Sequence, residues 1–128
     1  MSYYFTKFMK GTFDQVIEKV NEELKKEGFG VLTQIDVKET LKVKLDVDFP
    51  KYTILGACNP GFAHAALLAE NKIGTMLPCN VIVQEHVNGE IEVSAVDPVK
   101  SMMGVQNDQL GTIAKEVRTN LQRVINNL

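Results

Sequence analysis

Tryptophan is absent from these 128 residues, cysteine and histidine occur only twice each, and proline four times. Two cysteines alone cannot complete a four-ligand structural zinc site, and in a reducing compartment they are expected as free thiols and not as a bridge, so stability is expected from an ordinary core. No run of residues approaches the roughly 20 apolar positions that a membrane-spanning helix needs, and no membrane partner is expected. Basic residues number 14 against 16 acidic ones, for a formal charge of −2. They gather into no stripe, and no nucleic-acid partner is expected either. The stretch Tyr3-Tyr4-Phe5-Thr6-Lys7-Phe8 has neither the charged start nor the unbroken apolar run of a secretory signal, and a cytoplasmic location is expected. Also missing are a phosphate-binding glycine loop, a zinc-peptidase motif, a nucleophile elbow and any internal repeat or linker. One domain over residues 1–128 is expected.

What the chain does have is a hydrophobic content of 45%, enough for one buried core. Tyr3 to Phe8 alternates as a strand does. Thr12-Phe13-Asp14-Gln15 has the form of a capping box, and Phe13, Val16, Ile17, Val20 and Leu24 then recur along one helical face until Gly28. Gly30 to Ile35 reads as a second strand, and Asp36 opens a short helix carrying Leu41 and Leu45. Tyr52 to Cys58 is a third strand. Asn59-Pro60 supplies a cap and a first helical proline for an alanine-rich helix that ends near Ala69. Asn80 to Val87 and Glu90 to Val96 form a hairpin around Asn88-Gly89. After a loop from Asp97 to Asp108, eight positions from Leu110 to Leu128 make a continuous helical stripe. The order is β-α-β-(short α)-β-α-β-β-α, an α+β domain with a five-stranded sheet and helices packed on it.

Both cysteines stand beside a proline and an asparagine, in Ala57-Cys58-Asn59-Pro60-Gly61 and Leu77-Pro78-Cys79-Asn80. The first stretch joins a strand end to a helix start, where unpaired amides and the helix dipole favour an anion. Gly61 lets a ligand approach the backbone. The alternative there is a cap and a proline with no ligand. Cys58 sits where a helix dipole activates a thiol, and His64, one turn on, could reach back to it as the base of a Cys-His pair. Against this, free cysteine is a common core residue. Met76, Met102 and Met103 would suggest a soft-metal site only if they converged on Cys58; otherwise they fill gaps.

The same stretches carry a resemblance. Ile54-Leu55-Gly56-Ala57-Cys58-Asn59-Pro60, Leu77-Pro78-Cys79-Asn80-Val81-Ile82-Val83 and Asp97-Pro98 resemble the family known as domain of unknown function 302. Weaker agreement at Gly28-Phe29-Gly30-Val31, Asp36-Val37 and Lys44-Leu45 extends it over nearly the whole chain. The resemblance implies a small α+β protein that pairs into dimers, with no activity attached. His64 stands where the family pattern varies, so no shared mechanism through it is implied.

The expected function is therefore a homodimeric binding module for a small anionic ligand, with Cys58, Asn59, Gly61 and Cys79 as binding residues and no metal or cofactor. Two alternatives stay open. One is a thiol-dependent enzyme or a sulfur or metal carrier, with Cys58 and His64 as the catalytic candidates and Cys79 as a further thiol; the other is a purely structural dimer. A right-handed parallel crossover between the strands ending at Cys58 and starting at Asn80 would put the two thiols at opposite ends of the sheet, with His64 and His86 nearer to Cys58 than Cys79 is. Separated cysteines are the expectation.

Overall fold

A computed structural model describes residues 2–128. Five strands, β1 (Tyr4–Met9), β2 (Gly30–Asp36), β3 (Tyr52–Cys58), β4 (Cys79–Glu85) and β5 (Ile91–Val96), form one sheet in the spatial order β1-β5-β4-β3-β2. Every neighbouring pair is antiparallel. The helices are α1 (Phe13–Lys26), α2 (Val37–Leu45), α3 (Pro60–Ala69), α4 (Pro98–Ser101) and α5 (Asp108–Asn126), and a 3₁₀ turn spans Ile73–Met76.

Local chemistry sets the helix ends. The Thr12 hydroxyl accepts the Gln15 amide at 3.2 Å, and the Gln15 side chain accepts the Thr12 amide at 3.1 Å. Gly28, with φ +83°, turns the chain out of α1 in a conformation that other residues resist. Asp36 caps α2 through the Glu39 amide at 3.0 Å. The expected loop after Asp97 contains α4, because Asp97-Pro98 repeats the cap-then-proline pattern of Asn59-Pro60. The Asp97 carboxylate accepts the Val99 amide at 3.0 Å. Arg118 of α5 approaches the same carboxylate at 3.2 Å.

Strand alternation sorts the side chains into two faces. Leu55, Ala57, Val81, Val83, Val93 and Ala95 point to one face, where they are buried against Val16, Val20 and Leu24 of α1 and Leu121, Val124 and Ile125 of α5. Each fully buried leucine or valine there contributes roughly 1.5–3 kcal/mol. The other face bears no covering helix. Phe8 there is 54% exposed and Ile35 47%, and α2 has no buried residue. A second, smaller core joins Ala66, Ile73, Met102, Leu110 and Ala114 beneath α3.

One expectation is overturned. β3 and β4 are antiparallel, with Ala57 opposite Cys79. The crossover preference applies only when the chain returns before re-entering the sheet. Here α3, about 15 Å long, takes the chain away, and residues 70–78, including the 3₁₀ turn, bring it back to the end it left. Cys58 and Cys79 therefore lie at the same end of the sheet. His86, one residue beyond β4, lies at the opposite end, so Cys79 and not His86 is the neighbour of Cys58.

Candidate functional site

The two cores meet at a small cavity of about 40 Å³. By the usual allowance of about 10–15 Å³ per water, that space takes roughly three or four non-hydrogen atoms. Phe29, Ala57, Cys79 and Val117 wall it from the main core, and Ala66, Met102, Leu110 and Ala114 from the smaller one. Cys58, Asn59 and Phe62 close the side where β3 runs into α3. The structure thus brings Cys58, Asn59 and Cys79 to one cavity.

Asn59 builds this corner. Its Oδ1 accepts the Phe62 amide at 3.4 Å, its carbonyl accepts the Ala63 amide at 2.9 Å, and its Nδ2 donates to the Glu27 carbonyl at 3.4 Å. The last contact ties the start of α3 to the end of α1. A Cβ on Gly28 would stand 3.0 Å from Asn59 Nδ2, so the two residues fit only because position 28 lacks a side chain. Pro60 has no amide hydrogen, and the Phe62 and Ala63 amides are already paired. Gly61 is left as the single amide of the first turn open to an anion. The turn is therefore a weaker anion site than an uncapped helix start.

Electrostatics distinguish the thiols. Burial pushes the Cys79 thiol up to about 11, and the neighbouring Cys58 adds to the rise. Cys79 is thus a protonated thiol at neutral pH. Cys58 is half-buried, and both cysteines are free. His64 is exposed and is not a wall residue, so no Cys-His pair forms around the cavity. Among the described residues no group of three or more histidine, cysteine or acidic side chains is placed to hold a metal ion.

Sequence reasoning missed several members of the site. Phe29, Phe62 and Leu77 are wall residues that carry no chemical signature, although Phe62 follows the cap by three residues and Leu77 immediately precedes the Pro78-Cys79 pair. Met102, placed by the unexpected helix α4, is a wall residue of the same cavity, where it belongs to the smaller core and fills space as a gap-filling methionine does. A separate polar network lies on the helix-free sheet face. Glu92 accepts the Thr6 hydroxyl at 2.6 Å and bonds His86 Nε2 at 2.8 Å. Burial works to raise the Glu92 carboxyl, but these two bonds outweigh it and hold the group below its ordinary value. Glu92 is the residue that orients the His86 ring, a role legible only from the pairing of β4 with β5 around the hairpin.

No helix among the described residues is long and apolar enough to cross a membrane. Comparison with curated proteins gives no match. Among solved structures, the chain is similar to the crystal structure of an uncharacterised conserved DUF302 protein from Bacillus stearothermophilus. The TM-score is 0.91 and the identity 30%, with 98% of each chain covered. The family model described as domain of unknown function DUF302 matches residues 5–128. With nearly every residue inside that match, the chain belongs to the DUF302 family.

Proposed function

We propose that the protein is a homodimeric cytoplasmic binding module that holds one small ligand in the cavity beside Cys58 and Cys79 and catalyses no reaction. The observation that carries this reading is that Cys58, Cys79 and the Asn59 cap are wall residues of one largely apolar space at the junction of two cores. Such a space favours a ligand with an apolar or soft body. Gly61 lies outside the cavity wall, so its single open amide favours at most one singly charged group, such as a carboxylate on a ligand that extends past Asn59, and not a phosphate that needs several donors. Catalysis by Cys58 with His64 draws no support, since His64 lies outside the cavity wall.

Exposed apolar side chains support the dimer. Leu68 on α3 is 76% exposed, its neighbour Leu67 and Met76 of the 3₁₀ turn are exposed too, and Phe8 and Ile35 stand on the helix-free sheet face. Patches of this kind mark association surfaces. Native mass spectrometry should give twice the 14.3 kDa chain mass, and a single-chain mass at micromolar concentration would sink the dimer. Short-chain thiols and carboxylates of up to about four non-hydrogen atoms should raise the melting temperature. The rise should vanish in Ala66→Leu, which fills the cavity. Absence of any shift across that panel would remove the ligand reading and leave a structural dimer.

A further inference from the structure

The helix-free sheet face holds a depression of about 430 Å³, a size within the range of about 300–1,000 Å³ in which small-molecule sites fall. Strand register puts its wall on that one face. Tyr4 stands opposite Val96, Ile82 opposite Ser94, and Gln84 between Glu92 and Tyr52. Ile82 and Val96 supply apolar surface, and Tyr3, Tyr4 and Tyr52 stand around it. The Tyr3 and Tyr4 rings meet edge to face, with centroids 5.1 Å apart. Among the described residues Glu92 is the single charged member of this wall, and its side chain is only 14% exposed.

The hydrogen bonds beneath the depression run in one direction. Glu92 is ionised at neutral pH, since its bonds to Thr6 and His86 outweigh the burial that works to raise it, and an ionised carboxylate only accepts. Thr6 Oγ1, 2.6 Å from Glu92 Oε2, therefore donates to it in preference to the Val93 carbonyl at 3.2 Å. His86 Nε2 likewise carries the hydrogen it shares with Glu92 Oε1. With its proton committed to Glu92, Thr6 can only accept at its 2.8 Å contact with Ser94, so Ser94 donates. Ser94, itself a wall residue, is left with acceptor lone pairs alone to offer a ligand. The charged group and the hydroxyl in the wall both call for a donor.

We propose that this depression binds a small organic ammonium compound, a primary amine whose N–H groups bond Glu92 and Ser94 and whose apolar body lies on Ile82 and Val96 among the three tyrosines. Aromatic faces attract a cation, and the carboxylate answers its charge. A carboxylate or phosphate ligand would meet Glu92 with like charge. A hard metal ion needs six or more oxygen ligands in most cases, and one carboxylate already bonded to two neighbours is a poor start on that set. The site lies on the sheet face away from α1 and α5, and it does not depend on the reading of the cysteine cavity.

The test is isothermal titration calorimetry of the full chain at neutral pH with phenethylamine, and with phenethyl alcohol and hydrocinnamate as probes that keep the body and change the charge. Wild type should bind the amine about tenfold or more tighter than the alcohol and should refuse the carboxylate. Glu92→Gln, which keeps the size and removes the charge, should weaken the amine about tenfold and leave the alcohol unchanged. Tyr52→Leu and Ser94→Ala should each weaken the amine about threefold or more. Ala66→Leu, which fills the cysteine cavity, should match wild type. Refusal of the amine by wild type, whether the face is bare or covered by a second copy, overturns the proposal. Equal affinity for the alcohol, or undiminished amine binding by Glu92→Gln, does so too. Loss of amine binding in Ala66→Leu would move the ligand to the cysteine cavity and overturn this site while sparing that one. Should Glu92→Gln fail to fold, unchanged amine affinity in both Tyr52→Leu and Ser94→Ala overturns the proposal by itself.

Discussion

Gly56 on β3 stands directly opposite Thr33 on β2, and the Thr33 hydroxyl occupies the space that a Cβ at position 56 would need. Pro78 closes the same space from the other side, its Cγ 2.8 Å from that Cβ position. The glycine thus lets the proline before Cys79 lie down on the sheet. Gly56→Ala should destabilise the fold by about 1–3 kcal/mol through overpacking. Combining it with Thr33→Ala should recover part of the loss, because the hydroxyl is removed while Pro78 remains. Denaturant melts of the two single variants and the double variant test this; strict additivity would show that the two residues do not share the space.

Val117 is 7% exposed in the middle of the α5 stripe and also walls the cavity. An unpaired carboxylate there has no partner among the apolar residues around it. Val117→Asp should abolish cooperative unfolding, and Leu121→Ala one turn on, at a fully buried position, should cost about 2–5 kcal/mol. Circular dichroism melts would reveal a misplaced face by an unchanged midpoint.

The carboxyl of Glu92 is held below its ordinary value of 4.5 because the Thr6 and His86 bonds outweigh burial. A depressed carboxyl contributes stability that is complete above its unfolded value and is lost as pH falls through the folded one. Thr6→Val should therefore cost about 1 kcal/mol at neutral pH and progressively less in acid below pH 4.5. Urea titrations at several pH values measure this, and a pH-independent difference would assign the loss to packing.

For Cys79 the sign is opposite. Its thiol rises from 9.0 in the ordinary case to about 11 in the fold. Between those values the unfolded chain has released a proton that the folded chain retains, so stability declines as pH climbs through that window. Cys79→Ala should flatten the decline. At neutral pH, iodoacetamide should label half-buried Cys58 first and reach Cys79 only on unfolding. Equal labelling rates, read by peptide mass, would contradict the burial of Cys79.

The elements were legible wherever a side chain reports on its own backbone. Thr12, Asp36 and Asn59 each accept the amide three residues on. Asn88-Gly89 turns the hairpin, and the α5 stripe contains the six buried positions Leu110, Ala114, Val117, Leu121, Val124 and Ile125. Chain direction was not legible, because whether residues 70–78 return or continue depends on what they pack against. The 3₁₀ turn is fixed by the burial of Ile73 in the smaller core, a long-range fact. The cavity was half-visible for the same reason. Cys58 and Asn59 could be read as a strand-to-helix corner, but the union of Cys79 and Met102 with them follows from strand order and from α4.

The order β1-β5-β4-β3-β2 has a kinetic consequence. Strands β2 to β5 are sequential neighbours, each able to pair with the one just made. β1 is the exception, since its sole partner in the sheet is β5, with Tyr4 opposite Val96 and Met9 opposite Ile91. β1 must therefore wait until residues 91–96 have been made before its backbone finds a partner. Closing that long loop is the entropically expensive step. Docking of β1 then falls late in folding, and until it happens the hydrogen-bonding edge of β5 stays open to any other strand, including one from a second copy.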